Sequence, residues 1–71
     1  MAVEVRAQIT GTVWKVLARV GDRVAEEQAI AILESMKMEI PVEAPSAGQI
    51  QAVHVAEGDA IEEGALLFTL A

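Results

Sequence analysis

Lys15 and Lys37 are the only lysines in the chain, and they sit in unlike company. Lys37 lies in "ILESMKMEIPV", residues 32–42, between Met36 and Met38 and with aliphatic residues on both flanks. A charged lysine is not buried without a partner, so an amine in such a run points to a turn where stem and charge reach water. A primary amine held in the open is a nucleophile once it loses its proton. Other chemistries lack parts. His54 is the single histidine and cysteine is absent, which excludes a disulfide framework and leaves no ligand set for zinc. His54 therefore reads as a surface strand residue. The chain shows no glycine-rich phosphate loop, no serine–histidine–acid set and no pair of carboxylates in an apolar pocket.

The elements that must position Lys37 follow from an internal repeat. "GTVWKVLARVGDRVAEEQAIAIL" (11–33) lies over "GQIQAVHVAEGDAIEEGALLFTL" (48–70) without a gap, at a shift of 37. Gly11 falls on Gly48, Gly21 on Gly58, Asp22 on Asp59 and Glu26 on Glu63. Aliphatic positions coincide too: Val13 with Ile50, Val24 with Ile61, Ile30 with Leu67, Leu33 with Leu70. Two copies are too few for a stacked solenoid, and they suit one core made of two pseudo-symmetric halves.

Each copy reads as strands. "GTVWKV" and "GQIQAVHV" alternate as half-buried strands do. "VGD" and "EGD" are turns, since glycine takes positive φ cheaply and aspartate bonds its own backbone. "EEG" at 62–64 is another turn, "ALLFTL" a closing strand, and "AVEVRA" an opening one. Residues 24–40 also fit one face of a helix and are rich in helix formers. The matching stretch of the second copy holds Gly64 and then "LLFTL", so strand is the expectation for both. Short strands with regular turns imply an all-β sandwich or barrel. The expected strands near 3–7 and 66–70 should pair with each other.

"ESMKMEIPVEAPSA" links the copies, and a hairpin is expected over 34–42 with its turn at Met36-Lys37. A tight two-residue hairpin needs positive φ and prefers Asn-Gly or Gly-X. Side-chain-bearing residues there cost about 1–3 kcal/mol each, which suggests that the side chains themselves are required. Alternation puts Met36 and Met38 on one face opposite Lys37, as partly buried gap-fillers. Glu34, Ser35 and Glu39 read as a solvated rim, and Pro41 and Pro45 as marks of strand ends. Trp14, standing where the second copy has Gln51, reads as an exposed or half-buried packing residue.

The 71 residues allow one domain, 1–71, with a single small core. Eleven acidic against five basic residues give a net charge of −6, the wrong sign for binding nucleic acid phosphates. No apolar run approaches the ~20 residues of a membrane span. "MAVEVRAQ" carries Glu4 and Arg6 and has no apolar core of a signal peptide, so a cytoplasmic monomer without membrane contact is the expectation.

"ESMKM" resembles the attachment motif, usually Ala/Ser-Met-Lys-Met, of biotinyl domains in biotin-dependent carboxylases. The flanks agree: "GDRV" and "GDAI" after each turn, "APSAG", and the terminal "EEGALLFTL". The resemblance spans residues 3–70, and it departs at Glu27, where a glycine is common and where the second copy has Gly64. It implies a flattened β-barrel, or barrel-sandwich hybrid, of two four-stranded antiparallel sheets with pseudo-two-fold symmetry. The modified lysine would lie on a hairpin tip opposite the chain ends. It implies that Lys37 carries covalent biotin, with Glu34, Ser35, Met36 and Met38 as motif residues; beside it, the exposed chemistry of the tip offers the methionines for recognition by carboxylase or ligase, and Glu34 and Glu39 for recognition by the ligase. The implied partners are a biotin protein ligase and the biotin carboxylase and carboxyltransferase of an acyl-CoA or related carboxylase. The protein would be a carrier, not an enzyme. The nearest alternative is a lipoyl carrier, or an acceptor of both cofactors, although lipoyl domains usually have Asp-Lys-Ala. A structural domain of membrane-fusion proteins is the alternative of another class.

Overall fold

The computed structural model describes residues 2–71, and every regular element in them is a strand. The eight strands are β1 (Val3–Arg6), β2 (Gly11–Val16), β3 (Arg23–Val24), β4 (Ala29–Ser35), β5 (Met38–Glu43), β6 (Gly48–Val53), β7 (Ala60–Ile61) and β8 (Leu66–Leu70). They form two four-stranded sheets, ordered β1-β8-β6-β3 and β5-β4-β2-β7, whose ladders do not close into a barrel. All pairings are antiparallel. The sandwich side of the expected hybrid is the one observed. The stretch 24–40 is strand–turn–strand, as the repeat required against its helix propensity. No helix among the described residues is long and apolar enough to cross a membrane.

The sheets are copies of each other. Under the shift of 37, β2, β3 and β4 fall on β6, β7 and β8. The match also reaches further than the sequence comparison: β5 falls on β1. Leu33 pairs with Ile40, as Leu70 pairs with Val3. The counterpart of the 34–42 hairpin is thus the β8–β1 pair, which has no turn to join it. The short alternating strand β1 was read as an opening strand, and its likeness to 38–43 is too degenerate in sequence to register.

The core is purely apolar. Val13, Ile30, Leu33, Ile50, Leu67, Phe68 and Leu70 are almost wholly buried, and no polar or charged side chain is buried among the described residues. The matched aliphatic positions of the two copies supply both inner faces, with one asymmetry: Phe68 fills in one copy the position that the small Ala31 fills in the other, and both are fully buried. Two turns lock the layers in the same way. The Asp22 carboxylate accepts the Arg19 N–H at 2.9 Å, and the Asp59 carboxylate accepts the Ala56 N–H at 2.9 Å. Gly21 and Gly58 hold φ of 96° and 94°. Their N–H groups donate across to the Ile50 and Val13 carbonyls.

Pro41 differs from its expected place at a strand end. It lies inside β5, opposite Ile32. Because β5 is the outermost strand of its sheet, the missing N–H removes no ladder bond, and the edge is blunted against further pairing.

Candidate functional site

The β4–β5 hairpin is the longest pairing in the molecule, running from Ala29–Glu43 up to Ser35–Met38. Its loop is the two residues Met36 and Lys37, with φ of 52° and 65°. Two consecutive positive φ values make the type I′ geometry whose twist matches the flanking strands. The strained turn expected from the residue types is present.

Its side chains do not follow the strand expectation. Met36 is 90% exposed and Met38 60% exposed, so neither is a gap-filler beneath the hairpin. Met36 and Lys37 have left the strand conformation, and at left-handed φ the rule of opposite faces no longer holds. Lys37 is exposed as well, and no side-chain hydrogen bond or salt bridge among the described residues involves it. An amine flanked by two exposed thioethers is what the tip offers.

Below the tip, Ser35 is half-buried and not part of a solvated rim. Its hydroxyl donates to the Thr10 carbonyl at 2.9 Å, tying the hairpin to the segment before β2. Gly11 comes so close that a Cβ there would lie 2.5 Å from the Glu34 carbonyl oxygen. Thr10 also accepts the Glu63 N–H on its hydroxyl, at 3.3 Å. Thr10 was not singled out from the sequence, because it acts on Ser35 through a backbone carbonyl that any residue carries. Glu34 and Glu39 are exposed and face each other across the hairpin. Exposed His54 follows β6 and shares a 2.9 Å hydrogen bond with the Thr69 hydroxyl. Trp14 is 42% exposed, with the Lys15 amine 5.6 Å from its ring centre. No cluster of His, Cys, Asp and Glu among the described residues could hold a metal ion.

The tip thus presents one exposed amine from a fold of two matching four-stranded sheets. The family model for the biotin/lipoyl domain, described as "Biotin-requiring enzyme", matches residues 1–70. The biotin/lipoyl attachment protein of Bacillus subtilis is 46% identical over 66 residues, which cover 93% of this chain and 90% of that protein. The biotin carboxyl carrier protein of Streptococcus mutans is also 46% identical, over 92% of this chain and 50% of its own length. Among solved structures, the crystal structure of Kluyveromyces lactis urea carboxylase superimposes with a TM-score of 0.94 at 32% identity. That match covers all of this chain and 6% of the carboxylase chain. The chain belongs to the biotin/lipoyl attachment family.

Proposed function

We propose that the protein is a biotin carboxyl carrier domain and that Lys37 is the residue that takes the biotin. One observation carries the reading: Lys37 stands on a two-residue turn where both residues have left-handed φ, exposed and without a side-chain partner. Asn-Gly would fill that turn at less cost, so the side chains must have another use. The fit to the cofactor is chemical. A free primary amine at a convex tip can form an amide with the biotin carboxyl group, and nothing in the tip encloses it.

A biotin ligase presents biotin as an acyl-adenylate. Lys37 Nζ, its proton taken by the ligase site, attacks the acyl carbon; the C–N bond forms, the bond to the phosphate oxygen breaks, and AMP leaves with that electron pair. Ser35 and the close pack of Gly11 on Glu34 hold the hairpin base, so the amine arrives at a fixed place. A misplaced reacting group costs large factors in rate. Once attached, biotin supplies a ureido nitrogen that takes up and gives up a carboxyl group. The domain keeps the arm near its partners at an effective concentration of order millimolar, and both transfer steps belong to the biotin carboxylase and carboxyltransferase sites. Methionines on both sides of Lys37 favour this reading over a lipoyl carrier.

The test is intact mass after incubation with ligase, biotin and ATP. The parent and Lys15→Arg should gain one biotinyl group and Lys37→Arg none. Label retained by Lys37→Arg would sink the assignment.

A further inference from the structure

The doubled fold makes each outer sheet face a control for the other. On the sheet that carries the hairpin, Lys15, Ile32 and Pro41 form one cross-strand rung. Trp14 stands beside it in a bulge between Val13 and Lys15, and the Lys15 amine over the indole shows that both side chains leave on the outer side. Leu17 follows, 52% exposed. The equivalent rung of the other sheet is Ala52, Thr69 and Glu4, with Gln51 in the matching bulge and His54 in the place of Leu17. Backbone and register are shared, so the fold itself does not demand the apolar residues. Solubility argues against them, and exposed apolar patches that are rimmed by charge mark interaction sites.

Three further observations say what covers this face. It is continuous with the tip: the Ile32–Pro41 rung lies three rungs below Ser35–Met38, roughly 10 Å at strand spacing. Between patch and tip, Glu34 and Glu39 are paired directly across the strands. Like charges so placed destabilise a free hairpin, and a cation from outside would relieve them. Finally, the molecule measures 32 × 17 × 17 Å. Such a face falls short of the ~800 Å² per partner of a stable interface, which fits repeated brief docking and not a permanent dimer.

We propose that the outer face of the hairpin sheet is the docking surface for the carboxylating partner, a protein surface apolar at its centre with a cation set against the Glu34–Glu39 rung. The proposal rests on the carrier reading. Trp14 is its anchor, since a large, rigid aromatic at the middle of a small interface carries most of the binding. The ligase, which acts on Nζ itself, needs the tip and its acidic rung, not the Trp14–Leu17 patch.

The twin supplies the test variant. Trp14→Gln with Leu17→His puts on this face the residues that the other face already tolerates. The biotinylated variant, used as substrate of separately purified cognate biotin carboxylase, should show KM for the carrier raised five-fold or more, with kcat within two-fold. Its biotinylation by the ligase should stay within two-fold of the parent, and Gln51→Ala with His54→Ala should change neither constant. An unchanged KM overturns the proposal, and so does an equal loss with the control variant. To remain decisive if the variant folds poorly, amide NMR shifts of the parent are followed on titration with the carboxylase. Shifts at Lys15, Leu17 and Ile32 support docking here; shifts confined to the tip, or centred on Gln51 and Thr69, refute it. Failure of the carrier reading is seen separately, as absence of the biotinyl mass on Lys37.

Discussion

The turn at 25–28 and its counterpart at 62–65 share a backbone and differ in how they hold it. In each, an N–H three residues on closes the loop: Gln28 to the Ala25 carbonyl at 3.1 Å, and Ala65 to the Glu62 carbonyl at 3.0 Å. In each, the left-handed residue donates across the molecule at 2.8 Å, Glu27 to Ala44 and Gly64 to Ala7. The φ angles are 69° and 90°. Only the second turn uses glycine. The first has an extra bond instead, from the Ala25 N–H to the Gln28 side-chain oxygen at 3.0 Å, which Ala65 cannot copy. A net hydrogen bond is worth about 0.5–1.5 kcal/mol, enough to offset a left-handed glutamate of roughly 1 kcal/mol.

The Met36-Lys37 turn has no such offset. It too is left-handed without glycine, yet none of the side-chain hydrogen bonds among the described residues belongs to either residue. Strain at Glu27 is balanced locally; strain at the tip has no local counterweight, and the carrier reading rests on that contrast. The largest test of that contrast moves the amine. Met36→Lys with Lys37→Met retains composition and charge while shifting the nucleophile by one residue. Biotinylation should fall by about 100-fold or more, as expected when a reacting group leaves its geometry. The melting temperature should remain within a few degrees. Near-parental modification would mean that the ligase accepts any exposed lysine, and the tip's strain would lose its explanation.

Next in size are the close approaches that hold the hairpin base. A Cβ at Gly11 meets the Glu34 carbonyl at 2.5 Å, and one at Gly48 meets the Ala71 carbonyl at 2.5 Å. Glu34 is inside β4 and paired on both sides, whereas Ala71 lies past the end of β8. Gly11→Ala should cost about 3 kcal/mol, the upper range for forced overpacking, and Gly48→Ala about 1 kcal/mol. Urea unfolding of both measures the gap. Equal losses would show that the hairpin base is no more rigid than its counterpart. At the tip itself, Met36→Asn with Lys37→Gly should raise stability by about 1–2 kcal/mol while removing the acceptor amine, because that pair suits type I′ geometry.

These contrasts also show where the sequence was readable. The 37-residue shift carried the strand assignment over 24–40, because a buried aliphatic has to recur where the fold recurs: Val13 with Ile50, Leu33 with Leu70. The tip was legible as a turn because it lies in the segment that links the two copies, and its residues, poor ones for a turn, marked the side chains as required. Side-chain placement within it was not, since alternation fails where φ becomes positive, and Met36 and Met38 are exposed instead of tucked under. Pro41 inside β5 was missed because edge position is a property of the sheet, not of the strand. The Ser35–Thr10 tie rests on a carbonyl, and a carbonyl leaves no mark in a sequence.

The smallest expected effect sharpens the comparison most, because it separates strain from chemistry within one turn type. Glu27→Gly relieves the left-handed backbone but also enlarges the freedom of the unfolded chain. With the Gln28 bond intact, the first effect of roughly 1 kcal/mol should slightly exceed the second, for a net gain near 0.5 kcal/mol. Gln28→Ala alone should cost about 1 kcal/mol, since the Ala25 N–H then turns to water. Placing Glu27→Gly on the Gln28→Ala background should recover about half of that loss, making the turn a copy of the Gly64 one in both residues that matter. Neither substitution touches the tip, so biotinylation rates should be unchanged throughout. If Glu27→Gly destabilises the protein in both backgrounds, the left-handed glutamate is not strained, and the inference from strain to function at Met36-Lys37 loses its reference point.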